Sequence, residues 1–141
     1  MFENVVVGAD GSSTARQAVV AAADIAQLSG ANLHIVAAHE PEQRPSRSAQ
    51  GGYVDPANPA VTLLARLGGI AKERGLEPIG HPSKGAPAEA VVKVAEELGD
   101  DLIVVGNKGM KGARRVLGSI PNSVAHNAPC SVLIVDTVGA D

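Results

Sequence analysis

A five-stranded parallel sheet with helices on both faces is the α/β fold class that this sequence predicts, and three observations predict it. Strand-like and helix-like stretches alternate strictly along the 141 residues. The clearest strands, "ENVVVGAD" and "DLIVVG", carry continuous apolar runs, as strands buried on both faces do. Turn signals and a helical pattern then follow, the arrangement of right-handed βαβ crossovers. The length suits one domain, 1–141, that buries roughly 70% of the unfolded chain's surface.

The first strand gives way to "SSTARQAVVAAADIAQLSG", where Ala15, Val19, Ala22 and Ala26 share one helical face between a Ser N-cap and a stop at Gly30. "NLHIVAAH" reads as the second strand. Glu40 to Asn58, with three prolines and the pair Gly51 and Gly52, reads as a long loop. From about Pro59 to Arg74 a helix is expected with Val61, Leu64, Gly68 and Ala71 on its inner face, ending at Gly75. "LEPIGHPS" is a weaker third strand, placed at a sheet edge by Pro78 and Pro82, which cannot donate to a ladder. "GAPAEAVVKVAEELG" is a helix with Pro87 near its first position, Val91, Val94, Ala95 and Leu98 inward, and Gly99 as stop. "DLIVVG" is the fourth strand, a short helix spans Ser119 to Asn127, and "CSVLIVDT" is the fifth strand.

Composition narrows the function classes. No apolar run approaches the ~20 residues of a membrane span. The N-terminal "MFENVVVGADGSS" reads as a strand, not a signal peptide, which points to the cytoplasm. Cys130 is the single cysteine, so an internal disulfide and a cysteine zinc cluster are both excluded, and a small buried residue is expected there. The net charge is −3, and one Phe, one Tyr and no Trp provide few stacking platforms, which argues against nucleic-acid binding.

Against that acidic background, "GNKGMKGARRVLGS" from Gly106 to Ser119 holds four glycines, four cations and no acid. It joins a buried strand to a helix. Glycines let backbone N–H groups approach a ligand closely, and a helix N-terminus adds unpaired donors, so Gly106, Gly109, Gly118 and Ser119 form a candidate phosphate cradle. Ser119 either caps the helix or donates to a phosphate oxygen. Lys108, Lys111, Arg114 and Arg115 either neutralise a bound anion or solvate the surface. No GxxxxGK[ST] occurs, and "GADGSS" after the first strand is not GxGxxG, so the P-loop and dinucleotide fingerprints are both absent. Asp10, His39 and His126 are the acid–base candidates near these loops, none with a convincing catalytic context, and no GxSxG elbow occurs. No two histidines have i, i+4 spacing, so histidine metal binding is not expected.

The pattern resembles the universal stress protein family, whose nucleotide-binding members carry G-x2-G-x9-G-[S/T] after the fourth strand. Gly106, Gly109, Gly118 and Ser119 match it, with eight residues in the second spacer where the family has nine. "VVVGADGSS", "GAPAEAVVKVAEELGDDLIVVG" and "GSIPNSVAHNAPCSVLIV" look like the family's opening, central and closing segments. The resemblance implies a Rossmann-like architecture of the adenine nucleotide alpha hydrolase-like type and an ATP-binding protein of the stress response. The lack of a convincing catalytic group favours binding over turnover, with a slow ATPase or an adenylate-forming enzyme as a third reading. Gly8, Ala9, Asp10 and about Ala37 would lie on the adenine and ribose side. Val105, Gly106, Gly109, Gly118, Ser119 and Ile120 would lie on the phosphate side. Asp10 is either the turn residue of "DGSS" or a contact to ribose or to Mg²⁺ through water. A homodimer through "CSVLIVDT" is implied as well, since a closing strand at a sheet edge offers a pairing template. The alternative is a dimeric scaffold of the same family that does not bind ATP.

Overall fold

The computed structural model describes residues 2–10, 13–39, 58–99, 101–107 and 119–137. In chain order they form β1 (Asn4–Ala9), α1 (Ser13–Ser29), β2 (Asn32–His39), α2 (Pro59–Lys72), β3 (Ile79–Lys84), α3 (Pro87–Leu98), β4 (Leu102–Gly106), α4 (Ser119–Asn127) and β5 (Ser131–Val135). The strands make one sheet in the order β3-β2-β1-β4-β5, with every neighbouring pair parallel. The predicted fold class is therefore the observed one. Glu40 to Ala57 of the predicted long loop lie outside the described residues.

The centre of the sheet is β1, and its valines explain the two cores. Side chains alternate along a strand. Val5 and Val7 pack with α1 and α2, whereas Val6 packs with α3 and α4 beside Val91, Ile103 and Val105. On α1 the four alanines Ala18, Ala22, Ala23 and Ala26 are fully buried, and their small side chains let the helix lie close to the sheet. α3 begins with Pro87 at its first turn and ends at Gly99, whose φ of 80° puts it in the left-handed region that glycine favours.

In α2 the buried stripe is Ala60, Leu67, Gly68, Ile70 and Ala71, while Val61 and Leu64 are half-buried. The inner face is thus rotated from the predicted one toward the helix's C-terminal half. Gly68 faces Pro78, and a side chain on Gly68 would place its Cβ 3.5 Å from Pro78 Cγ. Cys130 is half-buried against the second core, more exposed than expected, because it precedes an edge strand.

At the N-terminal edge of the sheet, the Asp101 carboxylate accepts both the Glu3 and the Asn4 N–H, each at 2.6 Å. This ties the start of β4 to the start of β1 across 97 and 98 positions of sequence. Nearby, the register of β2 on β3 brings together two histidines 47 positions apart, with His34 Nδ1 2.9 Å from His81 Nε2. His34 Nε2 lies 3.1 Å from Asn4 Oδ1, an acceptor, so Nε2 carries the proton and Nδ1 accepts from His81 Nε2–H.

Burial, and then the neighbouring His81, hold His34 below its ordinary pKa of 6.5. Burial also lowers His81, against an upward pull from the Glu97 carboxylate on α3. Both groups bind protons more readily in the unfolded chain, so their contribution to stability is fully present above pH 6.5 and is lost as the pH falls through the lower folded values. The urea midpoint is accordingly expected to decline from pH 7 toward 5.5, with a shallower decline in His81→Gln. A wild-type midpoint that is flat over this interval would exclude the histidine pair as an acid-sensitive element.

Candidate functional site

The chain runs outward from β1 through β2 to β3 and then returns to place β4 on the other side of β1. Beyond the carboxyl ends of β1 and β4 the winding reverses, and in open α/β sheets that crevice is where ligands bind. A cleft with an empty volume of about 520 Å³ occupies this position. Gly8, Ala9 and Asp10 line it from the end of β1, and Val105 and Gly106 from the end of β4. Val36 and Ala38 extend the floor along β2.

The remaining wall comes from helix starts. Thr14 and Ala15 belong to the first turn of α1, Pro87 opens α3, and Ile120 and Pro121 lie in the first turn of α4. Three helix N-termini thus meet at one cleft. Each brings about half a positive charge, which favours an anion. Between them the surface is apolar, with Val36, Val91 and Val105 nearly fully buried beneath it. Among the described lining residues Asp10 is the one titratable group.

Two glycines here are fixed by packing. A Cβ on Gly8 would stand 2.7 Å from Val91 Cγ2, closer than carbon atoms approach, so α3 can seat on β1 because residue 8 has no side chain. On the opposite face of the sheet, a Cβ on Gly106 would meet the Thr14 carbonyl oxygen at 3.3 Å and Thr137 Cγ2 at 3.5 Å. The end of β4 is therefore held directly against the start of α1.

Of the residues singled out in the sequence, Gly8, Ala9, Asp10, Val105, Gly106 and Ile120 come together at this cleft. Ala37 does not line it. It pairs with Ala9 and is fully buried on the α1–α2 side, while its neighbours Val36 and Ala38 face the cleft. Ser119 starts α4 beside Ile120. Gly109, Gly118, Lys108, Lys111, Arg114 and Arg115 lie outside the described residues. His39 ends β2 and His126 lies in the last turn of α4, and neither lines the cleft. Thr14, Ala15, Pro87, Val91 and Pro121 are lining residues that the sequence reading did not assign to a site. For Pro87 the signal was present in its place at a helix start, but not which helix starts converge.

Among the described residues no helix is long and apolar enough to cross a membrane, and no group of three or more His, Cys, Asp or Glu side chains is placed to hold a metal ion.

Nearly the whole chain resembles known proteins. The family model for the Universal stress protein family matches residues 1–136. A universal stress protein of Mycobacterium tuberculosis is 37% identical over 143 residues, covering 96% of this chain and 97% of that protein. A universal stress protein solved in complex with cAMP superposes with a TM-score of 0.78 at 36% identity, over 95% of this chain and 97% of the other. One from Archaeoglobus fulgidus, solved in complex with dAMP, gives a TM-score of 0.68 at 25% identity, over 94% and 97% of the two chains.

Proposed function

Because the chain belongs to the universal stress protein family, we propose that it binds an adenine nucleotide, ATP with Mg²⁺, as a regulatory or signalling ligand of the cytoplasmic stress response. The observation that carries this reading is the meeting of three helix N-termini over an apolar floor at the β1–β4 crevice. The floor suits a purine, and the helix starts suit phosphates. The similar proteins solved with cAMP and dAMP support an adenine nucleotide as the ligand class. Binding without turnover is favoured because Asp10 is the one titratable side chain among the described lining residues.

In this reading Gly8, Ala9 and Asp10 take the adenine and ribose side, with Ala37 contributing at most through its main chain. Val105, Gly106, Gly109, Gly118, Ser119 and Ile120 take the phosphates. The donor set fits Mg²⁺, which keeps several waters and needs one or two carboxylates beside phosphate oxygens. Asp10 would be that carboxylate, and the metal would supply charge neutralisation.

Mass spectrometry of the purified, denatured protein tests the reading, together with calorimetric titration by ATP, dAMP and cAMP. An adenine nucleotide is expected to co-purify or to titrate. If none does either, the alternative of a dimeric scaffold that binds no nucleotide takes its place. Asp10→Ala is expected to weaken Mg-ATP by roughly tenfold and metal-free ATP by much less. Equal losses with and without metal would make Asp10 a ribose contact or a turn residue.

We further infer a homodimer paired through β5. This strand lies at the sheet edge with β4 as its one neighbour among the described residues, and its Leu133 is 38% exposed.

A further inference from the structure

We propose that Asn107 is the positioning residue of the nucleotide cleft: its buried carboxamide fixes where the chain leaves β4, and the affinity of the cleft depends on it. The proposal rests on the nucleotide-binding reading above and adds a residue that lies outside the cleft lining.

Asn107 follows Gly106 directly and is 4% exposed. Its own N–H donates to the Val135 carbonyl at 3.0 Å, continuing the β4–β5 ladder one residue past the end of β4. In a parallel ladder the next bond would run from the Thr137 N–H to the main-chain carbonyl of Asn107. The Thr137 N–H instead donates to Asn107 Oδ1 at 2.8 Å. The side chain takes the place that a main-chain carbonyl would hold, so the backbone can turn out of the sheet at this residue without leaving a buried donor unpaired.

The rest of the carboxamide is used as well. Oδ1 also accepts the Thr137 hydroxyl, and Nδ2 donates to Asp136 Oδ1 at 3.1 Å. Thr137 is 5% exposed, and its methyl group packs against the face of Gly106, which lines the cleft and abuts Thr14 of α1. One buried amide thus ties the segment after β5 to the peptide units at the cleft wall. Truncating it would leave the Thr137 N–H and hydroxyl without their acceptor in a site closed to water. Relaxation of that strain would move Gly106 first.

Calorimetric titration with ATP tests the proposal, at a temperature where thermal unfolding shows each variant folded. Asn107→Ala is expected to lose roughly tenfold or more in affinity. Exchanging the partners, Asn107→Asp with Asp136→Asn, keeps the Oδ1 acceptor and reverses the second bond, so affinity is expected to return to within about threefold of wild type. Asn4→Ala, which removes a polar group at the opposite end of the sheet, is expected to lower stability and leave affinity unchanged.

A wild type that binds ATP alongside an equally tight Asn107→Ala variant overturns the positioning role alone. So does an equal loss of affinity in Asn4→Ala, because affinity would then follow overall stability. A wild type that takes up no adenine nucleotide overturns the functional reading, and this role with it.

Discussion

Gly8→Val is expected to abolish adenine-nucleotide binding, lowering affinity by about 100-fold or more. A Cβ at this position already falls 2.7 Å from Val91 Cγ2, and the two γ carbons of valine would then fill the floor of the cleft. The same substitution overpacks the α3 contact and is expected to cost about 1–3 kcal/mol of stability. The two effects separate in a double variant. Adding Val91→Ala makes room for the new side chain against α3 and should restore much of the urea midpoint. It should not restore binding, because the valine still occupies the cleft. Calorimetry and urea unfolding on the wild type, both single variants and the double variant decide the matter. Wild-type affinity in Gly8→Val would place the ligand elsewhere, and full rescue of binding by Val91→Ala would mean that affinity followed packing.

The second large effect is expected at the open edge of β5, where Leu133→Lys combined with Ile134→Pro should convert a dimer to a monomer, raising its dissociation constant by about 100-fold or more. Lysine puts a charge where Leu133 is 38% exposed. The proline position follows from the register. Val135 turns its carbonyl toward Asn107 on β4, and main-chain groups alternate along a strand, so Val132 and Ile134 present theirs to the open edge. A proline at Val135 would damage the β4–β5 ladder, whereas one at Ile134 removes an outward donor. Sedimentation velocity reads the mass, and far-ultraviolet circular dichroism is expected to stay close to wild type. A monomeric wild type, or a double variant that remains dimeric, would exclude pairing through this edge.

What was legible in the sequence was local. The face of α1 appears in the spacing of Ala15, Val19, Ala22 and Ala26, all buried. The face of α3 follows equally from Val91, Val94 and Ala95. The face of α2 was legible in part: Gly68 and Ala71 are buried, whereas Val61 and Leu64 are half-buried and Ala60, Leu67 and Ile70 complete the buried stripe. At the end of β2 the strand was legible but not the side. Ala37 is buried toward α1 and α2, and the residues on either side of it reach the cleft. The His34–His81 and Asn107–Thr137 contacts were not legible, since they depend on the register of β2 with β3 and of β4 with β5 across 47 and 30 positions. Likewise, the share of Pro87 and Val91 in the cleft wall depends on which side of the sheet each crossover takes, which no local pattern encodes.

The central place of β1 has a consequence for how the molecule is made. Of the five strands β1 is synthesised before the others, and β2 and β3 can join it on one side as they follow. Its other side waits for β4, whose entry residue Asp101 also supplies the acceptor for the Glu3 N–H, 98 positions away. At about 5–20 residues per second that interval is roughly 5–20 s. Throughout it, the central strand of the sheet keeps one row of main-chain donors and acceptors open, the condition under which incomplete chains pair with one another. Slow translation between α1 and β4 therefore exposes this protein to misassembly, and a chain cut short before Asp101 would carry the exposed edge permanently.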